Sequence, residues 1–152
     1  MQFSTLESLD SHIGQSLGFT EWLTITQEMV MDFAKATGDF QWIHVDPQRA
    51  LQESPFGGPI AHGFLTLSLS AKFLEDLVQV DSVEMGMNYG LNKVRFTEVV
   101  PVGSEIRMEA TLSNSEPFQQ KGRKLTLSCV FSRKDLEKPV CIAEFLVLMF
   151  ES

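Results

Sequence analysis

The stretch "GFLTLSLSAKFLEDLVQ", residues 63–79, decides the fold. It is apolar on nearly every side, and Leu65, Leu67, Leu69, Ala71 and Phe73 alternate as they would in a strand. Strands usually run ~5–6 residues. The length of this run and its "KFLEDL" ending favour a buried helix. Downstream of it the period changes. In "SEIRMEATLS" Ile106, Met108, Ala110 and Leu112 alternate with Glu105, Arg107, Glu109 and Thr111, the signature of a half-buried strand. "RKLTLSCVFSRK" repeats the pattern through Leu125, Leu127, Cys129 and Phe131. "PVCIAEFLVLMF" is apolar on both faces, as a central or interface strand would be, and "MGMNYGLNKVRF" reads as a fourth strand. "GFTEWLTI" is a plausible edge strand. The expected layout is α+β, an antiparallel sheet of about five strands wrapped around one long buried helix.

Upstream of the buried run, "TQEMVMDFAKATGD" predicts a helix capped by Thr26, with Glu28 in its first turn. Val30, Phe33, Ala34 and Thr37 share one face, and Gly38 is a natural stop. Residues 38–61 read as a long irregular excursion with one helical turn at "DPQRALQ", where Pro47 suits a first helical position. Loops this long in compact domains are usually functional or disordered, and Trp42, Ile43, Phe56 and Ile60 argue for order. Within the loop, Asp39 and His44 stand five positions apart. They read as an acid/base pair or as a turn aspartate and a satisfied loop histidine.

The chain has 152 residues and no repeat or linker, which predicts a single domain over residues 1–152. A net charge of −8 disfavours nucleic-acid binding, which depends on basic residues at phosphates. No apolar run approaches the ~18 residues of a membrane span. The acidic start "MQFSTLESLDSH" lacks the form of an export signal, so a cytoplasmic location is expected. Cys129 and Cys141 fit no metal spacing and are expected to be reduced core residues.

"FAKATGDFQWIHVDPQRA" followed by "FGGPIAHGFLTLSLS" resembles the signature of MaoC-like, (R)-specific enoyl-CoA hydratases. "GDFQWIHVDP" and "NYGLNKVRF" are similar to the nodulation protein N-like subgroup, and the resemblance runs from about Phe33 to Phe96. Gln41 and Trp42 stand where most members carry Asn-Pro. The resemblance implies a hot-dog fold, usually dimeric, and addition of water to trans-2-enoyl-CoA to give (R)-3-hydroxyacyl-CoA. It implies that Asp39 and His44 are the catalytic pair, that the Gly63 backbone amide polarises the carbonyl, and that Ser70 supplies a helix hydroxyl to the substrate. No cofactor or metal is implied; coenzyme A enters only as part of the substrate.

The residues can supply that chemistry. Hydration needs a water held and deprotonated, a proton for the α-carbon, and a donor for the enolate oxygen. A histidine and a carboxylate on one ordered loop can move the protons. Gly63, at the start of a buried helix, offers a free N–H. Ser70 lies about two turns further along the same face. Each has a duller alternative, since a helical serine often bonds back to its own backbone. Trp42 reads as a core plug and His62 as a structural hydrogen-bonding residue at the helix entrance. With no third ligand evident near His44 and His62, a metal site is not expected. No G-x-S-x-G elbow or phosphate-binding glycine loop occurs. Lys72, Lys93 and Arg95 are scattered candidates for the coenzyme A phosphates, though such charges also mark a solvated face. The rival readings are a hot-dog thioesterase and a non-catalytic acyl-ligand-binding protein. The apolar outer faces of "LTLSCVF" and "IAEFLVLMF" and the open sheet edges predict a homodimer.

Overall fold

A computed structural model describes residues 1–152. The elements run in chain order β1 (Gln2–Phe3), a 3₁₀ turn (Glu7–His12), β2 (Ser16–Phe19), β3 (Leu23–Thr24), α1 (Gln27–Thr37), α2 (Trp42–Val45), α3 (Pro47–Glu53), α4 (Gly63–Ser68), α5 (Ser70–Leu77), β4 (Gln79–Val80), β5 (Val83–Phe96), β6 (Glu105–Phe118), β7 (Gly122–Arg133) and β8 (Pro139–Glu151). The main sheet has the order β2-β6-β7-β8-β5, all antiparallel, with β3 also on β6. The buried helical run lies against its inner face, the hot-dog arrangement. β1 and β4 form a separate two-residue parallel ladder.

Register makes the inner face. Met108, Phe131 and Cys141 stand opposite one another across β6, β7 and β8. Ala110, Cys129 and Ala143 form the next row, and Leu112, Leu127 and Phe145 the third. All nine are buried. They face Leu65, Phe73, Leu74 and Leu77 of the helical run, with the Phe73 and Phe131 rings 6.1 Å apart. Each large side chain buried here contributes ~1.5–3 kcal/mol. A one-residue slip would turn every one of them outward, so the register is strongly specified. Both cysteines are unpaired, and burial pushes their thiols up, Cys129 to about 12 and Cys141 to about 11. No helix is long and apolar enough to cross a membrane.

Two expectations are corrected by the structure. The buried helix is not one unbroken element, for α4 and α5 meet at Leu69 (φ −68°, ψ −10°). The reason is local. Ser68 donates its hydroxyl to the Phe64 carbonyl at 2.6 Å and Ser70 to the Leu67 carbonyl, and such back-bonding bends helices. "GFTEWLTI" is likewise not one edge strand but β2 and β3. Gly18 sits at φ +102°, and the register shifts between Ser16 and Phe19. Thr20 bridges the gap, its amide donating to the Met108 carbonyl and its hydroxyl accepting the Met108 amide.

Candidate active site

α1 follows its sequence signals. Thr26 Oγ1 accepts from the Met29 amide at 3.2 Å, and Gly38 closes the helix in the left-handed region at φ +78°. Val30 and Ala34 are buried; Thr37, expected on the same face, is exposed. The reversal at Gly38 releases the chain into the excursion, which holds a helical turn the sequence did not reveal, α2. α2 carries His44 inward. Gln27 Nε2 donates to the His44 carbonyl at 2.8 Å and the Ile60 amide to the Ile43 carbonyl at 3.0 Å, so α2 is tied to α1 and the far end of the excursion is tied back to α2. α3 begins with Pro47, and Asp46 Oδ1 accepts from the Arg49 amide at 3.0 Å. Trp42 remains half-buried, with the Arg49 guanidinium 4.4 Å over its ring.

His44 is 7% exposed, and its Nδ1 lies 2.7 Å from the Ile60 carbonyl. A carbonyl only accepts, so Nδ1 carries the proton and Nε2 of the neutral ring keeps its lone pair. Burial pulls the His44 pKa below the ordinary 6.5 and His62 adds to this, while the Ile60 carbonyl and Asp39 act the other way. His44 is thus a neutral acceptor at pH 7. It follows that kcat/KM should show an acid limb below pH 6.5 and rise to a plateau above it. An acid limb whose midpoint lies above pH 6.5 would contradict this role.

Asp39 makes the bond expected of a turn aspartate. Oδ1 accepts the Gln41 amide at 3.3 Å, the turn-stabilising bond. Oδ2 remains available, 4.0 Å from His62 Nε2, and the carboxylate is 51% exposed. His62 caps α4, donates from Nε2 to the Asp39 carbonyl at 3.0 Å, and stacks on His44 with ring centroids 3.9 Å apart. The expected structural bond is there, but His62 also forms one wall of the His44 site. The only sequence signal for this was its place beside Gly63. Its Nδ1 is buried without a partner. The third donor that the sequence did not disclose is Asp39. One ligand atom each from Asp39, His44 and His62 fall within 4.8 Å of one another.

A cavity of about 360 Å³ opens beside His44, lined among others by Gly63, Thr66, Phe96 and Val100. The Gly63 amide, first of α4, donates to no protein group. A Cβ at 63 would lie 3.0 Å from the Phe96 ring, tighter than ordinary contact, so glycine lets that ring close the wall without shifting. Ser70 is not brought to the cavity. It is 0% exposed, and its hydroxyl is turned into the backbone bond that bends the helix. Lys72 is paired with Asp76 at 2.6 Å, whereas Lys93 and Arg95 lie exposed on β5 without a carboxylate partner.

The chain matches the family described as MaoC like domain over residues 8–130. It is 44% identical over 145 residues to 3-hydroxyacyl-thioester dehydratase Z of Mycobacterium tuberculosis strain ATCC 25618 / H37Rv, covering 95% of each chain. It is 50% identical over 113 residues to nodulation protein N of Rhizobium leguminosarum bv. viciae, covering 74% of this chain and 70% of that one. In structure it is similar to a monoamine oxidase regulatory protein from Archaeoglobus fulgius, with a TM-score of 0.78 and 26% identity over 100% of this chain and 97% of that one.

Proposed function

We propose that this chain, which belongs to the MaoC-like dehydratase family, reversibly adds water to trans-2-enoyl thioesters to give (R)-3-hydroxyacyl thioesters. The observation that carries the reading is His44, held neutral with Nε2 free beside a cavity and with the Asp39 carboxylate close by. The thioester class is supported by the relative named as a 3-hydroxyacyl-thioester dehydratase.

In this reading a water donates one hydrogen bond to His44 Nε2 and the other to Asp39. Its oxygen attacks C3 while its proton passes to His44. The C2–C3 π pair moves toward the thioester carbonyl, whose oxygen accepts the Gly63 N–H. The dyad then returns a proton to C2. The balance is redox-neutral, and coenzyme A takes part only as the carrier of the acyl group. Exposed Lys93 and Arg95 are the side chains left free for its phosphates. With crotonyl-CoA, loss of conjugated absorbance without release of thiol is the expected result. Thiol release at the same rate would mean that water attacks the carbonyl carbon and would replace the hydratase with a thioesterase.

We propose further that the protein works as a homodimer joined through β5. This strand ends the sheet and is exposed along most of its length, with Met85, Met87, Tyr89 and Leu91 open to solvent. Phe64 and Phe96, rings 5.5 Å apart, are exposed beside the cavity, so a twin chain on this edge would also cover the approach to it. Unpaired apolar edges of this length are normally covered. Light scattering at micromolar concentration should give twice the 17.1 kDa chain mass. An active monomer would defeat the dimer.

A further inference from the structure

Other helical hydroxyls turn back on their own backbone. Thr37 donates to the Phe33 carbonyl at 2.8 Å, Ser68 to that of Phe64 at 2.6 Å, and Ser70 to that of Leu67. Thr66 does not. Its Oγ1 is buried with no hydrogen-bond partner, in a residue only 2% exposed. The carbonyl it would ordinarily use, that of His62, already accepts the Leu65 and Thr66 amides at 3.0 and 3.3 Å. A buried hydroxyl without a partner carries a desolvation penalty that nothing in the fold offsets.

Thr66 lines the cavity that Gly63 and His44 also line. It stands three residues, a little under one turn, after Gly63. Helical side chains lean toward the N-terminus and cover the preceding turn, so the Thr66 side chain overlies the turn that Gly63 begins. Thr66 and the free Gly63 amide thus border one end of the cavity, with His44 on its wall.

We infer that Thr66 is the second hydrogen-bond donor to the substrate's thioester carbonyl oxygen, acting together with the Gly63 amide. The inference rests on the hydratase reading. As the water oxygen bonds to C3, the π pair shifts onto the carbonyl oxygen, and Thr66 O–H and Gly63 N–H both donate to it. Thr66 gives up no proton. When C2 is protonated the charge returns and the bonds relax. A donor whose bond strengthens as charge develops raises kcat more than it lowers KM.

The test compares Thr66→Val and Thr66→Ser on crotonyl-CoA. Valine keeps the shape and removes the donor. It should lower kcat by ~10²-fold, the usual effect of losing one such donor, with KM changed by no more than about threefold. Serine should restore kcat to within about tenfold of wild type. The valine variant should also melt no lower than wild type, because it deletes an unpaired buried hydroxyl. Wild-type kcat in the valine variant, a change confined to KM, or serine as impaired as valine would each overturn the inference. If wild type itself fails to hydrate crotonyl-CoA, the hydratase reading fails and takes the inference with it. An active wild type beside an equally active valine variant overturns the inference alone.

Discussion

Replacing His44 with Gln, or Asp39 with Asn, should each lower turnover by at least ~10²-fold while the fold persists. Glutamine is neutral and close in size to the imidazole, so the substitution gives up only the Nδ1 bond to the Ile60 carbonyl, and the Gln27 and Ile60 ties to the loop backbone remain. What it lacks is a basic nitrogen to take the proton from water. Asparagine can still accept the Gln41 amide through its carbonyl oxygen and so keeps the turn, but it removes the negative charge beside the dyad. Circular dichroism and a melting curve would separate lost chemistry from lost structure. A His44→Gln enzyme with near-wild-type kcat would remove the histidine from the reaction, and the same holds for Asp39→Asn.

Of the glycines, Gly122 meets the closest obstacle, and Gly122→Ala should be strongly destabilising. β6 turns into β7 through Gln119 and Lys121, both at positive φ (52° and 59°), and Gly122 then pairs with Phe118 on one side and Phe150 on the other. The Phe118 and Phe150 rings close over this end of the sheet, 6.2 Å apart. A Cβ at 122 would run into the Phe118 carbonyl oxygen and lie 2.8 Å from the Phe150 ring. The ring can turn; the carbonyl, locked in the hairpin, cannot move without its strand. Overpacking of this kind costs about 3 kcal/mol, which for a chain of this size lowers Tm by roughly 6–12 °C. A Tm within about 2 °C of wild type would show that the hairpin has room the structure does not display.

The parts legible in the sequence are those where a local rule and the tertiary fold agree. β6 and β7 alternate because one face meets the helices and the other does not, and the observed burial repeats the alternation. α1 was readable to the residue at both ends because Thr26 and Gly38 are chemically specific caps. α2 was not, since four residues without a side-chain cap carry no periodic signal. The bend at Leu69 was hidden for a different reason. Serine hydroxyls can face a ligand or their own backbone, and only packing decides which. That choice removed Ser70 from the cavity wall and left Thr66 there. The chain order of Asp39, His44 and Gly63 was plain, but the stacking of His62 on His44 depends on α4 and the loop meeting in space.

The irregularity of β5 bears on what can pair with that edge. Its ladder with β8 shifts register between Val83 and Met85, between Asn88 and Gly90, and between Leu91 and Lys93. A strand with three such breaks over fourteen residues is a poor template for endless strand addition, because an arriving segment needs matching dislocations to pair along its length. A flat, apolar edge would recruit any extended chain released during synthesis or heating. The proposed twin chain would carry the same breaks, so a closed pair, not an open fibre, is the assembly expected of such an edge.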